Sequence, residues 1–115
     1  MYALLNHMIF WQDGAVEWLN GRAPAMPEHA SGSWPGASAP TTRAEWLEAV
    51  RHFQTGLTRL ERAAKRAALA RKGRTKSALT MLADIAMHNS YHAGQVALLR
   101  QVLRKWPPPS GGMTW

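Results

Sequence analysis

Trp46, Val50, Phe53, Leu57 and Leu60 follow one another at spacings of four, three, four and three. A helix gathers such a set onto one face, because side chains three and four apart lie one above the other. The pattern recurs in two further segments. Leu4, Met8, Trp11, Ala15 and the pair Trp18-Leu19 carry it in the first; Leu82, Ile85, Asn89, His92, Val96, Leu99 and Leu103 carry it in the last. No segment shows the alternation of a half-buried strand. The chain is therefore all-α, with three helices over about residues 1–20, 42–71 and 77–105. Each has one apolar stripe to bury, and an antiparallel bundle is the expected way to bury all three.

The boundaries have chemical causes. Gly21, with Pro24 and Pro27 behind it, stops the first helix. Residues 21–40 are rich in Gly, Pro, Ala and Ser and lack periodicity, so they read as a long surface loop. Loops of this length are uncommon unless functional or disordered. Trp34, within Ser33-Trp34-Pro35, is expected to anchor the loop onto the bundle. Thr42 as N-cap and Glu45 three residues on predict a capping box for the second helix, which Gly73 ends. Ser77 is the predicted N-cap of the third helix. Trp106 and the prolines 107–109 close it, and 106–115 form a tail.

At 115 residues the chain is one domain, 1–115, with 46% apolar and 18% charged residues, as in globular proteins. Cysteine is absent, which excludes disulfides, thiolate nucleophiles and Cys-bound zinc. No apolar run is long enough to span a membrane, and the N-terminus lacks the features of a secretory signal, so a cytoplasmic protein is expected. The net charge of +7 is concentrated in segment 59–76, where Arg59, Arg62, Lys65, Arg66, Arg71, Lys72, Arg74 and Lys76 are accompanied by the single acid Glu61. Such a cluster is either a nucleic-acid surface or a solvated helix end whose cations complement the helix dipole. No recognition motif accompanies the charge and no aromatic interleaves with it, which favours the second.

Against this background His88 and His92 stand out, four residues apart on the inner side of the third helix. Two imidazoles on one face can converge on one metal ion, although the spacing alone is weak evidence. His7 lies on the inner side of the first helix and can supply a third nitrogen, whereas His29 falls in the loop and His52 faces outward. Three protein nitrogens leave a coordination position open, as in catalytic rather than structural zinc sites. Asp84, four residues before His88, and Gln95, three after His92, are candidates to accept an imidazole N–H or hold a bound water. There is no HExxH glutamate, no Ser/His/Asp arrangement and no phosphate-binding glycine loop.

At these residues the chain resembles the DinB-like superfamily of metal-binding helical bundles, which includes the YfiT-type proteins. The resemblance rests on Leu5-Asn6-His7-Met8-Ile9-Phe10-Trp11, on His88-Asn89-Ser90-Tyr91-His92-Ala93-Gly94-Gln95 and on Leu98-Leu99-Arg100-Gln101. It implies that His7, His88 and His92 bind a divalent metal, zinc or nickel first among them. Some relatives are metal-dependent transferases or isomerases that use low-molecular-weight thiols such as bacillithiol or mycothiol, and the expectation for this chain is a metal-dependent thiol transferase or hydrolase. The alternative is a non-catalytic metal-binding or dimerisation module. The family bundle has four helices, and the one matching Met1–Asn20 is its second. A chain without the first helix exposes an apolar groove, so a homodimer, with elements exchanged between copies, is the expected partner state.

Overall fold

A computed structural model describes residues 1–69, 75–109 and 111. Three helices build it: α1 (Tyr2–Leu19), α2 (Arg43–Leu69) and α3 (Thr75–Val102), with a short 3-10 turn at Ala30–Ser33. No strand occurs among the described residues. The predicted stop at Gly73 and the tail residues Met113 and Trp115 lie outside the described residues.

The three-helix, all-α class holds, but the helix directions differ from the expected arrangement. Tyr2 meets Glu45, Asp13 meets His52 and Arg59, and Asn20 meets Arg66. These ties advance together along both chains, so α1 and α2 run parallel. Only α3 is antiparallel to them, with His7 facing His88 and Val96 and Arg100 lying by Met1 and Leu5. The length of the connection is the reason. Short links give antiparallel neighbours, whereas the chain between α1 and α2 is long enough to travel back along an 18-residue helix of about 27 Å. It does so against α1 itself: Pro24 lies near Gly14, Ser33 reaches His7, and Pro40 lies beside Tyr2.

Helix ends also shift. α3 begins at Thr75, so Ser77 sits in its first turn and is not its cap. It ends at Val102, ahead of the prolines, where Arg104 takes a left-handed φ of 53° and the Lys105 N–H returns to the Arg100 carbonyl. Leu103 is consequently exposed, not on the inner side, and Leu99 is only marginally covered, because α1 and α2 start at the level of Val96 and Arg100. The capping box of α2 is half formed. The Glu45 N–H donates to Thr42 Oγ1, but the Glu45 carboxylate accepts from the Thr41 N–H and hydroxyl and from the Tyr2 hydroxyl. The Tyr2 bond first, and Thr41 after it, hold the Glu45 pKa at about 2.

The core is small-sided. Ala15, Ala63 and Ala78 let the helices approach closely, with Val16, Leu19, Leu60 and Ile85 filling between them. Gln12 is an anomaly in this setting. It is 1% exposed, and neither its Oε1 nor its Nε2 has a hydrogen-bond partner. Gly56 makes room for it: a Cβ at that position would stand 2.6 Å from Gln12 Oε1. An unpaired buried amide costs about 1–3 kcal/mol. Gln12→Met keeps the length of the side chain and removes both polar atoms. We expect it to raise the stability measured by urea unfolding by about 1 kcal/mol or more; a lower midpoint would show that the amide is satisfied in solution.

Candidate metal centre

The antiparallel contact of α1 and α3 brings three imidazoles to one point. His88 Nε2 lies 3.1 Å from His7 Nε2 and 3.2 Å from His92 Nε2. The ligand atoms of all three fall within 4.8 Å of one another. His7 and His92 are buried and His88 is half-buried. Two nitrogens bound at 2.0–2.1 Å to one tetrahedral ion stand about 3.3 Å apart, close to the separations found.

The surrounding hydrogen bonds decide which nitrogens carry protons. His7 Nδ1 faces the Ser33 carbonyl oxygen at 3.2 Å and Ser33 Oγ at 3.1 Å. The Ser33 hydroxyl proton already goes to the Ala30 carbonyl at 2.7 Å, so both Ser33 atoms accept and His7 Nδ1 must donate. His92 Nδ1 is 2.7 Å from Gln95 Oε1, again an acceptor. Both imidazoles, when neutral, therefore present a bare Nε2 lone pair to His88 Nε2. A single proton on His88 can serve one of them; a cation serves all three. The donor set fits a divalent ion, with the outer nitrogens fixed as metal-ligating histidines are usually fixed.

His88 is supported less well: the Asn89 side chain lies close enough to raise its pKa, but makes no hydrogen bond of ordinary geometry with it. Its Nδ1 is buried without a partner, as is the neighbouring Asn89 Oδ1. Rings complete the enclosure. Trp34 stacks on His7 at 4.1 Å and 8°, and Trp11 stands edge-on to both His7 and His88. The expected loop anchor thus lies directly against the site. Asp84 is exposed, and the hydrogen bonds of the three histidines among the described residues go to Ser33, Gln95 and one another. The i−4 spacing sets it on the same side of α3 as His88, but its side chain is exposed. Ser33 was not singled out from the sequence; its position beside the one tryptophan of the loop was the available signal. His52 faces outward as expected and pairs with Asp13. Within the basic segment, Arg59 pairs with Asp13, Lys65 with Glu61, and Arg66 with the Asn20 amide, while Arg71, Lys72 and Arg74 lie outside the described residues.

Burial is the first cause that lowers the pKa of both His7 and His88. The charge of His92 lowers both further, and the Ser33 carbonyl opposes the shift at His7. Both are neutral, and so ready to ligate, at neutral pH. The linkage has a definite sign. A folded-state pKa below the unfolded value of 6.5 means that the unfolded chain takes up protons first on acidification. Stability of the metal-free protein is expected to be flat above about pH 7 and to fall as pH drops through 6.5. Urea midpoints between pH 8 and 5 measure this; a rise toward acid would contradict it.

A helical bundle with three imidazoles closed on one point is the class of protein that fold and site define. The family model of the DinB superfamily matches residues 1–96, which include His7, His88, His92 and Gln95. The chain belongs to the DinB superfamily. No curated protein and no solved structure gives a match. Among the described residues, no helix is long and apolar enough to cross a membrane.

Proposed function

We propose that this protein binds a divalent metal ion through the Nε2 atoms of His7, His88 and His92. The observation that carries the reading is the pair of acceptors, Ser33 and Gln95, that turns two Nε2 lone pairs toward a third. Neutral nitrogen donors suit zinc or nickel and leave the ion's charge uncompensated. When bound, such an ion supplies Lewis acidity and lowers the pKa of a water or thiol placed on it. The chain's own contribution is positional. Ser33 and Gln95 hold two rings, and Trp11 and Trp34 pack against His7 from two directions. Titration of the full chain with Zn²⁺ and with Ni²⁺, followed calorimetrically and by metal content after desalting, is expected to give one ion per chain. Absence of stoichiometric binding of either ion ends the proposal.

The finer reading is a metal-dependent transferase or hydrolase that takes a low-molecular-weight thiol. Its support is the family membership together with a three-nitrogen donor set, which leaves room for an exogenous ligand. Turnover assays with bacillithiol and mycothiol on the zinc-loaded protein test it, and inactivity with both leaves a binding module.

We also propose a homodimer formed through α3. From Ile85 to Leu99 the helix has no Lys, Arg, Asp or Glu, although Met87, Tyr91 and Leu98 are 60% exposed or more. Uncharged apolar faces of this length mark contact surfaces, and a two-fold axis lets one such face cover its own copy. Light scattering coupled to size exclusion should give twice the 12.8 kDa chain mass, and Met87→Lys should halve it. A monomer at micromolar concentration removes the proposal.

A further inference from the structure

A cavity of about 720 Å³ opens one side chain away from the histidine cluster. It lies between the C-terminal half of α1, the stretch Ala23–Met26 of the returning loop, and the N-terminal half of α3. Phe10, Trp11, Trp18, Met26, Met81 and Ile85 give its walls. Its volume falls within the roughly 300–1,000 Å³ of small-molecule sites, and its aromatic and methionine lining is of the kind that holds such ligands. Gly14 leaves space in the wall, since a Cβ there would meet only Pro24 at 3.8 Å.

Charge narrows the ligand class. Among the described residues, no lysine or arginine lines the cavity. The two carboxylates that do, Asp13 and Glu17, are already paired outward, Asp13 with His52 and Arg59, and Glu17 with Arg22. An anionic group inside would be desolvated beside two acids whose cationic partners are already engaged. A neutral apolar body would lose nothing polar and gain three aromatic faces. We propose that this cavity is a binding site for a small uncharged molecule with an aromatic or branched apolar body. The site does not depend on the metal. Trp11 borders both, its ring 6.3 Å from that of His7 and 6.2 Å from that of His88.

The test uses the neutral fluorophore N-phenyl-1-naphthylamine and its anionic relative 1-anilinonaphthalene-8-sulfonate, titrated into the full chain with and without Zn²⁺. Energy transfer from Trp11 and Trp18 should report one saturable site for the neutral probe, with the anionic probe at least roughly tenfold weaker. Gly14→Phe fills the cavity from α1. Met26→Glu sets a carboxylate at its mouth on a residue that is 60% exposed, where folding is not at stake. Each should weaken the neutral probe by about tenfold or more, with an unchanged far-ultraviolet spectrum for Met26→Glu. Equal binding of the two probes, or binding indifferent to Met26→Glu, overturns the proposal. So does probe binding that declines as protein concentration rises, which would mean that a second copy fills the cavity. Zinc failing to bind while the probe still does would remove the metal reading and leave this one standing.

Discussion

Alanine at His88 is expected to reduce bound zinc from one ion per chain to none retained after desalting, with little loss of metal-free stability. The two parts of that result come from different features of the same residue. His88 Nε2 is the atom to which both other Nε2 atoms are aimed, at 3.1 and 3.2 Å, so its removal leaves two nitrogens without a centre. Loss of a partner that merely orients a ligand costs 10–100-fold in affinity, and loss of the ligand itself should exceed about 100-fold. Metal-free, the balance is different. His88 is half-buried and its Nδ1 is unpaired, so truncation gives up some packing but also removes an unsatisfied polar atom. In the wild type, zinc at 100 times its dissociation constant should add about 2.7 kcal/mol, a rise in Tm on the order of 10 °C for a domain of this size. In the His88→Ala protein that rise should vanish. Thermal melts with and without Zn²⁺ measure both quantities. A variant that is unstable without metal yet still stabilised by it would assign His88 a packing role only.

Gln95→Leu should weaken zinc binding by about 10–100-fold while leaving one ion per chain at saturation. Gln95 touches no metal-facing atom; it accepts the proton of His92 Nδ1 at 2.7 Å. Leucine keeps the bulk and removes the acceptor. His92 then loses the bond that fixes its tautomer and ring angle, and its Nδ1–H is left without a partner. Gln95→Glu is the informative companion. A carboxylate accepts the same bond with charge assistance and should bind zinc at least as tightly as the wild type. Competition against a chromophoric chelator ranks the three proteins. Equal affinity in all of them would mean that the ring of His92 is held by packing against Tyr91 and Trp34 alone.

The class of fold and the histidine triad were legible in the residues because both are written in helical spacing. Four-residue spacing put His88 and His92 together, and the stripe of α1 put His7 inside. Gln95 followed from the same geometry. The parallel course of α1 and α2 was not legible, since periodicity says which face is buried and is silent on direction. The length of residues 21–40 was the one clue to it. Ser33 escaped notice for the same reason: it joins the site through the loop's path, which no spacing encodes. Asp84 shows the limit of spacing. It stands one turn from His88, as contact requires, yet its side chain is exposed.

The reversed path of the loop has a kinetic consequence. His7 and His88 are 81 positions apart, and parallel neighbours cannot zip from a shared hairpin. Helices α2 and α3 can meet early through their short link, but α1 must be brought in by closing a long loop before either pays back in contacts. The three nitrogens therefore converge only once α1 has docked and residues 30–34 have settled on His7. Zinc uptake by refolding protein should be a late event, coincident with the final step of tryptophan fluorescence rather than with the appearance of helix.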